Sequence, residues 1–186
     1  VMVGAPATQK ISTVEGGTDY TVKNITAGEN VEIRVNDPNG SLFNGNDDPQ
    51  APCVVAKEKA TIISAGGKGS IGTEDKPLNI QAKEVEFLNQ DMEQVIVKDT
   101  YVYIDQGNTS LDGNIVVDGV TWKLETADGS VTAADKTLTV KNGGTASILT
   151  NKEPTATSSG NVELKTITVT GTESTLQVQA PGAVKT

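Results

Sequence analysis

The oxygen-rich run Asn44-Gly45-Asn46-Asp47-Asp48-Pro49 is the densest set of potential ligands in this chain of 186 residues. Carboxylates and amide carbonyls are the hard donors that Ca²⁺ prefers, so Asn46, Asp47 and Asp48 are the candidate metal ligands. The spacing of an EF-hand is missing. Adjacent acids beside Asn and Pro read more simply as solvated turn residues. The expectation is no resident cofactor, with Ca²⁺ at this loop as the alternative.

Paired carboxylates are the second kind of chemistry to weigh. Two acids ~5–9.5 Å apart can work as acid and base on a glycosidic bond. Glu74-Asp75, Asp91 with Glu93, and Asp99 with Asp105 are the available sets. None stands in the sequence beside an arginine, a histidine or an aromatic platform that would orient a sugar and tune a pKa. Tyr101, Tyr103 and Trp122 are the stacking surfaces on offer, and Trp122, between Val120 and Leu124 in strand register, reads as core. The chain has no histidine, which removes the usual neutral-pH base, and one arginine, Arg34, which leaves bidentate anion clamps nearly absent. Glu15-Gly16-Gly17 and Lys141-Asn142-Gly143-Gly144 lack the spacing of a phosphate cradle and read as corners. No catalytic residue can be named, and no enzyme is expected.

The single cysteine, Cys53, excludes an intrachain disulfide and reads as a small buried hydrophobe. Fifteen basic against 24 acidic residues give a net charge of -9, which repels nucleic acid and anionic membrane surfaces. No window approaches the ~18 apolar residues of a membrane span, so no membrane insertion of this segment is expected.

The elements that must position these groups are short strands. Hydrophobic residues make up 35% of the chain but aromatics only 3%, so the interior must be built from Val, Ile, Leu and Ala. Alternation predicts strands at Tyr20 to Val22, Val31 to Val35, Ala60 to Ile63, Leu78 to Gln81, Val85 to Phe87, Val95 to Val97 and Tyr101 to Ile104. It predicts further strands at Ile115 to Val117, Thr121 to Leu124, Thr137 to Val140, Ala146 to Leu149, Val162 to Val169 and Thr175 to Val178. Lys83 to Gln94 is the one stretch that also fits a helix face. Residues 1–12 read as linker, 13–180 as one unit with a polar insertion at 44–52, and 181–186 as tail.

Two strands run into a matching corner: Val31 to Val35 into Gly40-Ser41-Leu42, and Ala60 to Ile63 into Gly69-Ser70-Ile71. Such recurrence is what a parallel β-solenoid needs, because each coil buries its apolar face only by stacking on the next. The intervals from Ile62 to Ile80, Ile80 to Val97 and Ile104 to Leu124 are read as single turns of the coil.

Ile25-Thr26-Ala27-Gly28-Glu29-Asn30-Val31-Glu32-Ile33, Ala60-Thr61-Ile62-Ile63-Ser64-Ala65-Gly66-Gly67 and Gly69-Ser70-Ile71-Gly72-Thr73-Glu74-Asp75-Lys76-Pro77-Leu78-Asn79-Ile80 carry a family resemblance. From about Thr21 to Gln81 the chain resembles the passenger repeats of filamentous haemagglutinin-type bacterial surface adhesins. That resemblance implies a right-handed parallel β-helix, secretion to the cell surface, and a stalk that presents contacts to host cells, other bacteria or matrix in cell adhesion and virulence. The implied partners are a surface protein or a glycan, and the implied context is a longer chain. The family's amino-terminal secretion domain is not recognisable here.

Two other readings stay open on sequence grounds. One is a pair of antiparallel β-sandwich modules that bind carbohydrate or protein, for which Asn39-Gly40, Asp112-Gly113, Asp118-Gly119 and Asp128-Gly129 would be hairpin turns. The other is a polysaccharide-active β-helix enzyme.

Overall fold

The computed structural model describes residues 6–12, 19–37, 39–64, 69–88, 94–150 and 160–186, without the side chains of 94–96. In chain order the strands begin with β1 (Thr8–Ser12), β2 (Tyr20–Val22), β3 (Ile25–Ala27), β4 (Asn30–Val35), β5 (Leu42–Asn44) and β6 (Val54–Ala56). They continue with β7 (Lys59–Ser64), β8 (Ser70–Ile71), β9 (Leu78–Leu88), β10 (Gln94–Ile96), β11 (Asp99–Asp112) and β12 (Asn114–Asp118). The last are β13 (Thr121–Thr126), β14 (Val131–Lys141), β15 (Thr145–Leu149), β16 (Val162–Val169), β17 (Thr175–Gln179) and β18 (Val184–Lys185). Among the described residues the protein is all-β, with no helix.

Every strand pairing among the described residues is parallel. No antiparallel hairpin joins sequence neighbours there, so the Asn-Gly and Asp-Gly pairs in described segments are corners between parallel strands. Gly113, Gly119 and Gly129 take positive φ at such corners, of 125°, 64° and 131°.

One ladder runs Gln9, Val31, Ala60, Val85, Thr109, Val131, Val162 and Val184, each paired with the next. Its shortest steps are those from Gln9 to Val31, Thr109 to Val131 and Val162 to Val184, and its longest runs from Val131 to Val162. A second ladder runs Tyr20, Leu42, Ile71, Thr100, Trp122, Ala146 and Leu176. Leu78, Val102, Leu124, Ile148 and Val178 form a third, and Ile115, Leu138 and Ile167 part of a fourth. Parallel neighbours lie ~4.8 Å apart, so each inward side chain rests on its counterpart in the next strand. β-Branched residues suit that stacking. Their contacts merge into one core cluster from Val22 to Leu164. Trp122 fits this core, as expected, because its ladder neighbours Thr100 and Ala146 are small.

Thr109 breaks the aliphatic run of the first ladder. It is 1% exposed, between Val85 and Val131, and its hydroxyl has no hydrogen-bond partner. A buried hydroxyl without a partner costs about 1–3 kcal/mol. Thr109→Val keeps the shape and removes that cost, so it should raise stability by about 1 kcal/mol in a denaturant titration. A loss of stability would show that the hydroxyl is satisfied.

The sequence expectations change in part. Two intervals read as single turns do not join paired positions, since Ile62 pairs with Phe87 and Ile80 with Ile104, whereas Ile104 to Leu124 does run between directly paired strands, β11 and β13, and falls two residues short of the partner Thr126. The strand expected at Val85 to Phe87 forms, and the helix alternative at Lys83 to Gln94 gives way to β-strand through Leu88, continuous with Leu78; residues 89–93 lie outside the described residues. The linker and tail carry strands, since β1 pairs with β4 and β18 with β16.

Candidate functional site

Two tyrosines project from one strand. Tyr101 and Tyr103 alternate with inward Val102 and Ile104 in β11, so their side chains leave the same face ~7 Å apart. The neighbouring β13 places Lys123 against Tyr101 and Glu125 against Tyr103. On the other side Asn79 of β9 pairs with Tyr103. Lys123 Nζ lies 3.4 Å from Glu125 Oε1.

Two loops wall this face. The corner after β8 turns at Gly72, φ 64°, where a Cβ would overlap the carbonyl oxygen of Tyr101, so a side chain is not tolerated there. The Gly72 amide donates to Leu42 O at 2.8 Å, and Thr73 and Lys76 close the turn through Thr73 N to Lys76 O at 3.0 Å. Glu74 and Asp75 are carried at its tip.

The insertion between β5 and β6 is held by three asparagines. Asn44 Nδ2 donates to Pro77 O at 2.9 Å, Asn46 Nδ2 to Ala51 O and Pro52 O at 3.1 Å, and Asn79 Nδ2 to Gln50 O at 2.8 Å. Pro49 and Gln50 are thereby fixed at the rim.

Between these walls lies a cleft of ≈ 160 Å³ lined by Pro49, Gln50, Glu74, Asp75, Pro77, Tyr101, Val102, Tyr103, Lys123 and Glu125. Tyr103 is 8% exposed and Glu125 9%. The cleft joins aromatic rings, three carboxylates, one ammonium and an amide. This corrects the sequence reading that Glu74-Asp75 stands apart from any aromatic platform: the platform comes from β11, further along the chain, brought alongside by parallel pairing.

The other candidates are dispersed. Asp47 ion-pairs with Lys23 at 3.3 Å and is almost fully exposed, while Asp48 Oδ1 accepts from Gln50 N at 2.9 Å. Asn46 spends its amide on the loop's own carbonyls. Among the described residues no group of three or more His, Cys, Asp or Glu side chains could hold a metal ion. Asp99 Oδ1 accepts from Thr121 N at 2.8 Å, and Asp105 is six residues further along the same strand, roughly 20 Å away. That exceeds the reach of a glycosidase pair. Asp91 and Glu93 lie outside the described residues.

Cys53 is fully buried, and its thiol donates to Asn79 O at 3.3 Å. Burial pushes the thiol up to about 11, outweighing the smaller lowering effect of backbone hydrogen bonding around the sulfur. At pH 8 the native protein should therefore resist iodoacetamide over hours that suffice for complete alkylation in denaturant. Rapid native labelling would show that the 44–52 insertion opens.

Lys123, Glu125 and Gln50 escaped the sequence reading as members of a site. The signal for the first two is a spacing: Lys123 follows Tyr101, and Glu125 follows Tyr103, by the same interval, one step of that ladder. Compared with protein families, curated proteins and solved structures, the chain finds no match.

Proposed function

We propose that this chain is a segment of right-handed parallel β-helix serving as a non-catalytic, adhesive stalk of a large bacterial cell-surface protein. The observation that carries the reading is the ladder from Gln9 to Val184, in which the chain returns to the same position seven times with parallel pairing throughout. A stack of this kind lengthens without changing its cross-section. The repeats that resemble adhesin passengers also fall in register: Val31 pairs with Ala60 and Leu42 with Ile71, across the same length of chain in both cases. Between the buried columns, the outward positions carry Thr, Lys, Glu, Asn and Gln, a broad polar surface suited to contact with host cells, other bacteria or matrix. Strands β1 and β18 belong to the same stack as the described strands between them, and the 44–52 insertion forms a local contact point at the rim of the cleft.

Beads coated with the whole chain should adhere to epithelial cells, bacteria or immobilised matrix above beads coated with an inert protein. Adherence equal to control on all three surfaces overturns the adhesive reading. Left-handed winding in a crystal structure would remove the kinship with the adhesin repeats.

A further inference from the structure

We propose that the Tyr101/Tyr103 cleft binds one neutral hexopyranose unit of a glycan. The inference rests on the adhesive reading for the source of that sugar, a cell-surface glycan, and on the cleft alone for its chemistry.

Size comes first. At ≈ 160 Å³ the cleft is well below the ~300–1,000 Å³ of a pocket for a larger ligand, so it takes a single ring. Its walls are ordered before any ligand arrives. Tyr103 is pinned between Asn79 and Glu125 in the adjoining strands, and the rim is tied down by the amides of Asn44, Asn46 and Asn79. The backbone that carries the cleft therefore has little freedom left to lose on binding.

Chemistry narrows the class. A pyranose presents apolar C–H faces and a rim of hydroxyl donors. The partly exposed Tyr101 ring supplies apolar surface, with Tyr103 largely buried beside it, and Glu74, Asp75, Glu125 and the Gln50 amide supply acceptors around it. Three carboxylates against one ammonium make the cleft net negative, so sialic and uronic acids are repelled.

A cation is also a poor fit. Glu74, Asp75 and Glu125 are not among any group of acids gathered closely enough to hold a metal, whereas one sugar ring can offer separate hydroxyls to separate carboxylates. Lys123 stands in register beside Tyr101 and 3.4 Å from Glu125, so a Lys or Arg side chain entering the cleft would meet an ammonium already paired there.

The test is a two-dimensional NMR titration of the whole chain with methyl glycosides of glucose, galactose and N-acetylglucosamine, with N-acetylneuraminic and glucuronic acids, and with a Lys/Arg tripeptide. At least one neutral glycoside should shift the Tyr101, Tyr103, Lys123 and Glu125 resonances saturably, with no such shift from the acids or the peptide. Tyr101→Ala should weaken that binding at least fivefold, and Tyr101→Phe, which keeps the ring, less than threefold. Absence of a neutral-sugar shift at these residues, tighter binding of an acidic sugar or of the peptide, or full affinity in Tyr101→Ala each overturns the proposal. If Tyr101→Ala fails to fold, the titration of the unsubstituted chain and Tyr101→Phe still decides. Coated beads separate the two readings. Adherence without any cleft response sinks the sugar site alone, and a cleft response without adherence sinks the stalk alone.

Discussion

Lys98→Met should destabilise the protein by about 2 kcal/mol at neutral pH, lowering the thermal midpoint by roughly 4–8 °C. Lys98 is 1% exposed, among the largest fully buried side chains. Its Nζ donates to the backbone carbonyls of Asp37 and Gly40, both at 2.8 Å. The interval from Gly40 to Gly69 equals that from Gly69 to Lys98, so the side chain reaches back past Gly69 to a corner two steps earlier. A Cβ on Gly69 would overlap the Gly40 carbonyl oxygen and come within 3.0 Å of Lys98 Nζ.

Two effects oppose each other in the substitution. Removing a buried ammonium relieves desolvation, and replacing buried ion pairs by hydrophobes is often neutral or stabilising. Here the acceptors are backbone carbonyls, which no side-chain change removes. Asp37 O keeps the Gly40 amide at 3.1 Å, but Gly40 O loses the Lys98 donor. An acceptor stranded in the interior costs about 1–3 kcal/mol, so destabilisation wins.

pH separates the terms. Burial holds the Lys98 ammonium below its ordinary 10.5, although the Asp37 and Asp19 carboxylates pull it upward. Below the lowered folded value both folded and unfolded chains carry the proton, and the cost of burying charge is felt in full. Between that value and 10.5 the unfolded chain binds more proton, so stability from this group rises with pH. A neutral amine still has two hydrogens for the two carbonyls. The gap between the native chain and Lys98→Met in denaturant titrations should therefore widen as pH climbs toward 10.5. A melting temperature of Lys98→Met at or above that of the native chain at pH 7 would show that desolvation dominates.

The same equal spacing explains what the sequence discloses. Val31 with Ala60, Gly40 with Gly69 and Leu42 with Ile71 repeat visibly because the chain between them has equal length in each case. The strands and the buried Trp122 are legible for a related reason: alternation registers a half-buried strand whatever its partner. The cleft is not. Tyr103 meets Glu125 one step on and Asn79 one step back, the two steps differ in length, and a step that varies with each corner hides such pairs from any fixed period. β1 escapes because Ile11 is its one aliphatic residue, and the strand is identified by pairing with β4 rather than by pattern. Corners inside β9, β11 and β14 escape because pairing resumes across the bend, with register shifts at Ile104 to Asn108 and at Ala133 to Thr137.

One of those hidden corners should be the least tolerant glycine position among the described residues. Gly107 has φ 109°, and a Cβ there would overlap Ala82 O and lie 2.6 Å from Lys83 O. Gly129 sits on the same corner one step later, where its own Cβ would overlap Gly107 O. Gly107→Ala thus combines a strained backbone with a collision against backbone, and the neighbouring strand can yield only by giving up pairing between β9 and β11. The expected loss is about 4 kcal/mol or more. Gly143 supplies the control. It shares the left-handed conformation, φ 76°, but nothing lies within 4 Å of where its Cβ would stand, so Gly143→Ala should cost only about 1 kcal/mol. Equal losses from the two substitutions in denaturant titration would mean that backbone conformation alone sets the cost. A large loss confined to Gly107→Ala requires the parallel neighbour to be in contact at that corner, which is the condition on which the whole stack depends.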